Sequence, residues 1–95
     1  MDKVFKGDIG TKIILDADSD ISTATELKIV YRKPSGAVGS WTAVAEGTQQ
    51  AYYIITASDL DEVGKWEFQL YVKLPSWSGY GENSGFTVYE NFEVP

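Results

Sequence analysis

The run Leu60-Asp-Glu-Val-Gly-Lys-Trp-Glu-Phe-Gln-Leu-Tyr-Val-Lys-Leu74 decides how this chain is read. After an acidic turn it alternates: Trp66, Phe68, Leu70 and Val72 share one parity, and Lys65, Glu67, Gln69, Tyr71 and Lys73 the other. A period of two sends successive side chains to opposite faces of a strand, so one face is apolar and the other wet. Four large apolar residues on one face predict a central strand over a core. The remaining segments read as partners of this strand or cover for it.

Working outward, Thr25 to Lys33 alternates in the same way, with Leu27, Ile29 and Tyr31 on one face, and Pro34-Ser-Gly36 ends it. Proline removes a ladder donor, and Pro-Ser-Gly suits a reverse turn. Val38 to Ala45 is expected to return as a hairpin partner carrying Trp41. Thr11 to Ala17 predicts a strand with Ile13 and Leu15 inward, and Val4-Phe5 a short first strand before the glycine bend Gly7-Asp-Ile-Gly10. Ala51 to Thr56 predicts a strand in which one of Tyr52/Tyr53 and one of Ile54/Ile55 faces inward, with the register open. Ala57 to Val63 is read as a single turn, because Gly64 closes it after too few residues for a helix. Pro75 to Gly85 is read as a loop, and Phe86 to Val94 as the last strand with a bulge near Glu90–Asn91. The result is about seven short antiparallel strands and no long 3.6-period segment. That pattern predicts an all-β, immunoglobulin-like β-sandwich without a disulfide, formed by residues 1–95 as one domain, with a small closed barrel as the rival.

Bulk composition removes many function classes. The chain has 95 residues, no cysteine and no histidine, with 14 acidic against 8 basic side chains and a net charge of −6. Ser-His-Asp and Cys-His centres are therefore impossible, and the commonest zinc ligands are missing. No P-loop is present, and Gly7-Asp-Ile-Gly10 is too short for a dinucleotide fingerprint. An acidic surface disfavours nucleic acid and anionic membranes. The N-terminal residues carry no apolar signal-like run, and no stretch approaches a membrane span. We expect no enzyme activity and no cofactor.

Three groups stand out chemically. Asp16, Asp18 and Asp20 alternate as in the opening of a calcium loop, but Ile21 stands where that loop needs glycine and Leu27 where it needs a bidentate glutamate. A solvated loop with carboxylates capping their own backbone is the expectation, and no metal ligand is assigned. Asp59, Asp61 and Glu62 are adjacent in a turn rather than opposed across a cleft, which glycosidase chemistry would need. Trp77 and Tyr80 sit in a Gly/Ser-rich stretch and are the candidate binding residues. Such aromatics serve as an interface anchor or a carbohydrate platform, or else fold back as a lid on the core.

Two resemblances follow from these residues. Glu62-x-Gly64-x-Trp66-x-Phe68 resembles the Asp-x-Gly-x-Tyr-x-Cys entry to strand F of immunoglobulin-type domains, with Trp66 standing for the corner tyrosine and Phe68 for the disulfide cysteine. Trp66 has no hydroxyl, so the corner hydrogen bond is not expected from this match. More broadly, the chain resembles short immunoglobulin-like proteins of tailed bacteriophages and prophages, and the N-terminal domain of phage baseplate upper proteins. The matching runs include Asp20-Ile-Ser-Thr-Ala-Thr25, Tyr31-Arg-Lys-Pro-Ser-Gly36, Asp59 to Trp66, Gln69 to Trp77 and Phe86-Thr-Val-Tyr89. The resemblance implies a non-catalytic component of the virion, in tail, baseplate or capsid decoration, found also in the host cytoplasm before assembly. Its implied partners are other phage structural proteins. A module binding a host-surface glycan through the same aromatics is the alternative.

Overall fold

The structure is a computed structural model that describes residues 3–81 and 83–92. Those residues form an all-β fold of two sheets. The larger sheet has the order β1 (Val4–Phe5), β9 (Ser84–Tyr89), β7 (Gly64–Leu74), β3 (Glu26–Arg32), β4 (Val38–Thr42). A further strand, β8 (Trp77–Tyr80), also pairs with β7. The smaller sheet has the order β2 (Lys12–Asp16), β6 (Gln50–Ile54), β5 (Val44–Glu46).

β7 is central, as its alternation predicts. β3 lies along one side of it, while β9 and β8 share the other side, at Gly64–Phe68 and Tyr71–Leu74 respectively. Trp66, Phe68, Leu70 and Val72 are all buried, and they belong to one core cluster with Ile13, Ala51 and Ile55 from the second sheet's side. Tyr53 and Ile55 are the inward members of their pairs, because Ala51 shares their parity and is fully buried.

Aromatic rings join the two sheets. Trp41 of β4 stacks on Tyr53 of β6 with centroids 4.9 Å apart and planes 9° from parallel. The same indole lies 4.5 Å from the Tyr31 ring, 5.9 Å from Phe68 and 6.3 Å from Trp66. Offset stacking of this kind adds to simple area burial.

Trp66 is 0% exposed, so its indole N–H needs a partner. It donates to the Glu62 carbonyl, four residues upstream, at 2.9 Å. The indole thus makes a hydrogen bond to the backbone upstream that the sequence alone gave no reason to expect. Gly64 allows the chain between them to turn and Pro34 to pack against it: its φ is +129°, and a Cβ there would lie 2.9 Å from the Pro34 ring. Lys33 then lies over the indole, 5.7 Å from its centroid, with its ammonium 3.0 Å from Asp61.

Five expectations need correction. Nine strands form among the described residues rather than about seven. The strands are not all antiparallel, since β1 runs parallel to β9. Val38 to Ala45 is not one hairpin strand: β4 pairs with β3, and after the buried Ala43 the chain continues as β5 in the other sheet. Pro75 to Gly85 is not all loop, because β7 lends its backbone to β8 across the tight Pro75–Ser76 turn. The last strand ends at Tyr89 rather than bulging, and there Asn91 donates its amide to the Lys6 carbonyl. Phe92 is 99% exposed. Val94 lies outside the described residues.

The corner gives a graded prediction. Trp66→Phe removes the indole N–H from a half-buried carbonyl and should lower unfolding free energy by about 1–3 kcal/mol. Trp66→Ala should cost about 3–5 kcal/mol, much of the 5–15 kcal/mol such domains hold. Urea unfolding followed by tryptophan fluorescence measures both, and a Trp66→Phe variant as stable as the parent would show that the hydrogen bond contributes nothing.

Candidate functional site

Trp77 and Tyr80 occupy the two ends of β8, three residues apart, so a strand sends them to opposite faces. The register agrees: Trp77 lies opposite Leu74 on the core-side face, and Tyr80 opposite Tyr71 on the outer face. Tyr80 packs its ring 5.2 Å from that of Tyr71. The Trp77 indole folds across Gly79, where a Cβ would lie 2.5 Å from the ring. Neither aromatic is buried in the core. Trp77 is 55% exposed and Tyr80 62%.

The indole instead borders an opening. Between the β7–β8 hairpin and the β2–β3 loop lies a cleft of about 290 Å³. Leu70, Val72 and Leu74 form its floor, Trp77 one wall, and Ala17 and Ile21 the other. No Lys or Arg lines it. Ile21 is 2% exposed, and its N–H is tied to the Thr48 carbonyl at 2.7 Å. Reading Asp16, Asp18 and Asp20 as a solvated loop misses this plug, because one isoleucine among Asp and Ser has no periodicity to reveal it.

The Asp16–Asp20 carboxylates act on their own backbone. Asp16 Oδ1 accepts from the Asp18 N–H and Asp20 Oδ1 from the Ser22 N–H, each at 2.8 Å. The Ser22 hydrogen bonds hold the Asp20 carboxyl below its ordinary value. Among the described residues no group of three acidic side chains is placed to hold a metal ion.

The second acidic cluster is also spread out. Asp61 pairs with Lys33, and Glu62 accepts from the N–H and hydroxyl of Ser35, both at 3.1 Å. Asp59 turns back to accept from the Tyr53 hydroxyl (2.8 Å), the Thr56 N–H (2.7 Å) and the Thr56 hydroxyl (2.8 Å). It therefore fixes the turn at Ser58, whose φ is +74°, to the ring that carries Trp41. Burial works to raise the Asp59 carboxyl, but the donated hydrogen bonds outweigh it and leave the group below its ordinary value.

No family model, curated protein or solved structure matches the chain.

Two outcomes follow from this geometry. Trp77→Ala and Tyr80→Ala should each cost no more than about 1–2 kcal/mol, since much of each side chain is already in water. Urea midpoints test this, and losses as large as that of Trp66→Ala would place both residues in the core. For Asp59, a folded value below the unfolded one contributes stability that is complete above the ordinary carboxylate range. That contribution is lost as pH falls through the folded value. Asp59→Asn should therefore be less stable than the parent at pH 7, and the gap should narrow below about pH 4. Unfolding curves at pH 7 and pH 3 measure the gap, and a constant difference would remove the carboxylate from the account.

Proposed function

We propose that the chain is an immunoglobulin-like β-sandwich acting as a non-catalytic docking module. On this reading it is a phage virion component of the tail, baseplate or capsid surface that binds neighbouring structural subunits. It is made in the host cytoplasm and ends in the particle. The strand order supports the fold assignment. β9-β7-β3-β4 follows the order G-F-C-C′ and β2-β6-β5 the order B-E-D of immunoglobulin domains. The Trp66-to-Glu62 hydrogen bond adds to this, since it reproduces the reach of the tyrosine corner with an indole.

The observation that carries the docking reading is the half-exposed Trp77 beside an apolar cleft. A rigid aromatic next to an unfilled apolar recess gives a partner both an anchor and a socket. The paired carboxylates are already committed to turns and to Lys33, which supports a non-catalytic role. The glycan alternative draws less support, because Trp77 and Tyr80 face opposite sides of β8 and do not share one stacking surface.

The test is a photo-crosslinking residue at position 77, introduced in a phage-producing host. The expected result is recovery of the domain in purified particles, crosslinked to one structural subunit. Its absence from particles would overturn the virion assignment. Glycan-array binding that depends on Trp77, without any protein crosslink, would replace docking by carbohydrate recognition.

A further inference from the structure

β2 is an edge strand: β6 lies on one side, and no strand among the described residues lies on the other. Which of its backbone groups face the open side is fixed by two hydrogen bonds. Ile55 N–H donates to the Thr11 carbonyl at 2.8 Å, and Ala17 N–H donates to the Gln49 carbonyl at 2.7 Å. Odd-numbered residues therefore face β6. By the alternation of an antiparallel ladder, the N–H and C=O of Lys12, Ile14 and Asp16 face outward from the sheet edge. Strand edges are usually protected by proline, a bulge, an inward charge or charged side chains along the edge; Lys12–Asp16 has no proline, and its edge charges are the two that a pairing copy can match.

The side chains of the same three residues form a self-complementary series. Lys12 and Asp16 carry opposite charges at equal distances from Ile14, which is 44% exposed. Laid antiparallel on a second copy and centred on Ile14, Lys12 falls opposite the partner's Asp16, and Ile14 opposite the partner's Ile14. Each such pair uses edge-facing residues, so each exchanges N–H···O bonds in both directions. Shifting the centre to Lys12 or Asp16 puts like charges opposite each other, and centring between these positions pairs a charge with isoleucine. Only one register satisfies both the backbone and the charges.

The outer face of the sheet continues the pattern. Ile14 is opposite Tyr52, and Tyr52 is opposite Val44, so an apolar stripe crosses all three strands to the β2 edge. Joining two copies makes that stripe continuous over three strands from each chain.

We propose that β2 is a homodimer edge, pairing two copies antiparallel through Lys12–Asp16 about a two-fold axis at Ile14. The interface is isologous, as closed dimers require. The net charge of −6 on each copy opposes association, but at physiological salt repulsion is screened beyond about 8 Å, whereas Lys12, on leaving Glu46 and the Tyr52 ring, meets the partner's Asp16 in direct contact. This surface lies on the smaller sheet; its Asp16 end adjoins Ala17 in the wall of the Trp77 cleft, but the pairing uses no residue of that cleft.

Sedimentation velocity from micromolar to millimolar protein, in 0.15 M salt, provides the test. The parent should show a monomer–dimer equilibrium. Lys12→Glu and Asp16→Lys each turn two symmetry-related attractions into repulsions and should weaken association about tenfold. The double variant should recover to within about threefold of the parent, since the swapped charges again oppose each other. Lys12→Glu also loses the 2.7 Å bridge to Glu46, so Ile14→Pro serves as a second probe. Its N–H faces away from β6, so a proline there spares the ladder while removing the central intermolecular bonds. A parent that stays monomeric, single variants that associate as the parent does, a double variant no better than the singles, or dimerisation of Ile14→Pro would each overturn the proposal.

Discussion

The structure depends on the stack in which Trp41 lies between Tyr31 and Tyr53, with Trp66 and Phe68 beside it. The chain has no cysteine, so no disulfide cross-links one sheet to the other. Attachment rests on removing large apolar rings from water, worth about 1.5–3 kcal/mol for each fully buried side chain. A domain of this size has little stability in reserve, so a few rings decide whether it folds. Trp41 is well placed for this task because the chain leaves the larger sheet just after it. The crossing at Ala43 brings one segment into both layers.

The same stack explains where the polar groups of the turns go. Tyr53 cannot bury its ring against Trp41 without finding a partner for its hydroxyl, and Asp59 supplies it. Asp59 in turn holds the Thr56 backbone and the strained Ser58 turn in place. Trp66 poses the same problem for its indole N–H, and the Glu62 carbonyl answers it. Within the acidic segment the Asp59 carboxylate and the Glu62 carbonyl satisfy groups that the aromatic core obliges the chain to bury, while the Asp61 and Glu62 carboxylates hold Lys33 and Ser35 at the surface.

The core is complete in the half of β7 near Trp66 and thins toward its other end. Beyond Leu70 the cover comes from one isoleucine in a loop and from the half-exposed Trp77. Close packing at one end and an apolar recess at the other leave that end of β7 open beside Trp77. The free edge of β2 is a different kind of surface, defined by backbone groups rather than by a recess. The two can be occupied by different partners without rearranging the core that they share.

By itself the sequence determined the all-β class, the central strand and most of the core. Period-two alternation is a local property, and Trp66, Phe68, Leu70, Val72, Ile29 and Ile13 follow it into the interior. It also identified Trp77 and Tyr80 as aromatics outside that alternation, and both are exposed. Pairing was beyond it. β8 is a strand only because β7 offers unpaired backbone there, and Trp-Ser-Gly-Tyr has no pattern that announces a strand. The opposite facing of Trp77 and Tyr80, the parallel contact of β1 with β9, and the burial of Ile21 are decided by neighbours distant in the chain. So is the bond from Trp66 to Glu62: the residues are four apart, but they meet because the core requires that indole to be dry and therefore satisfied.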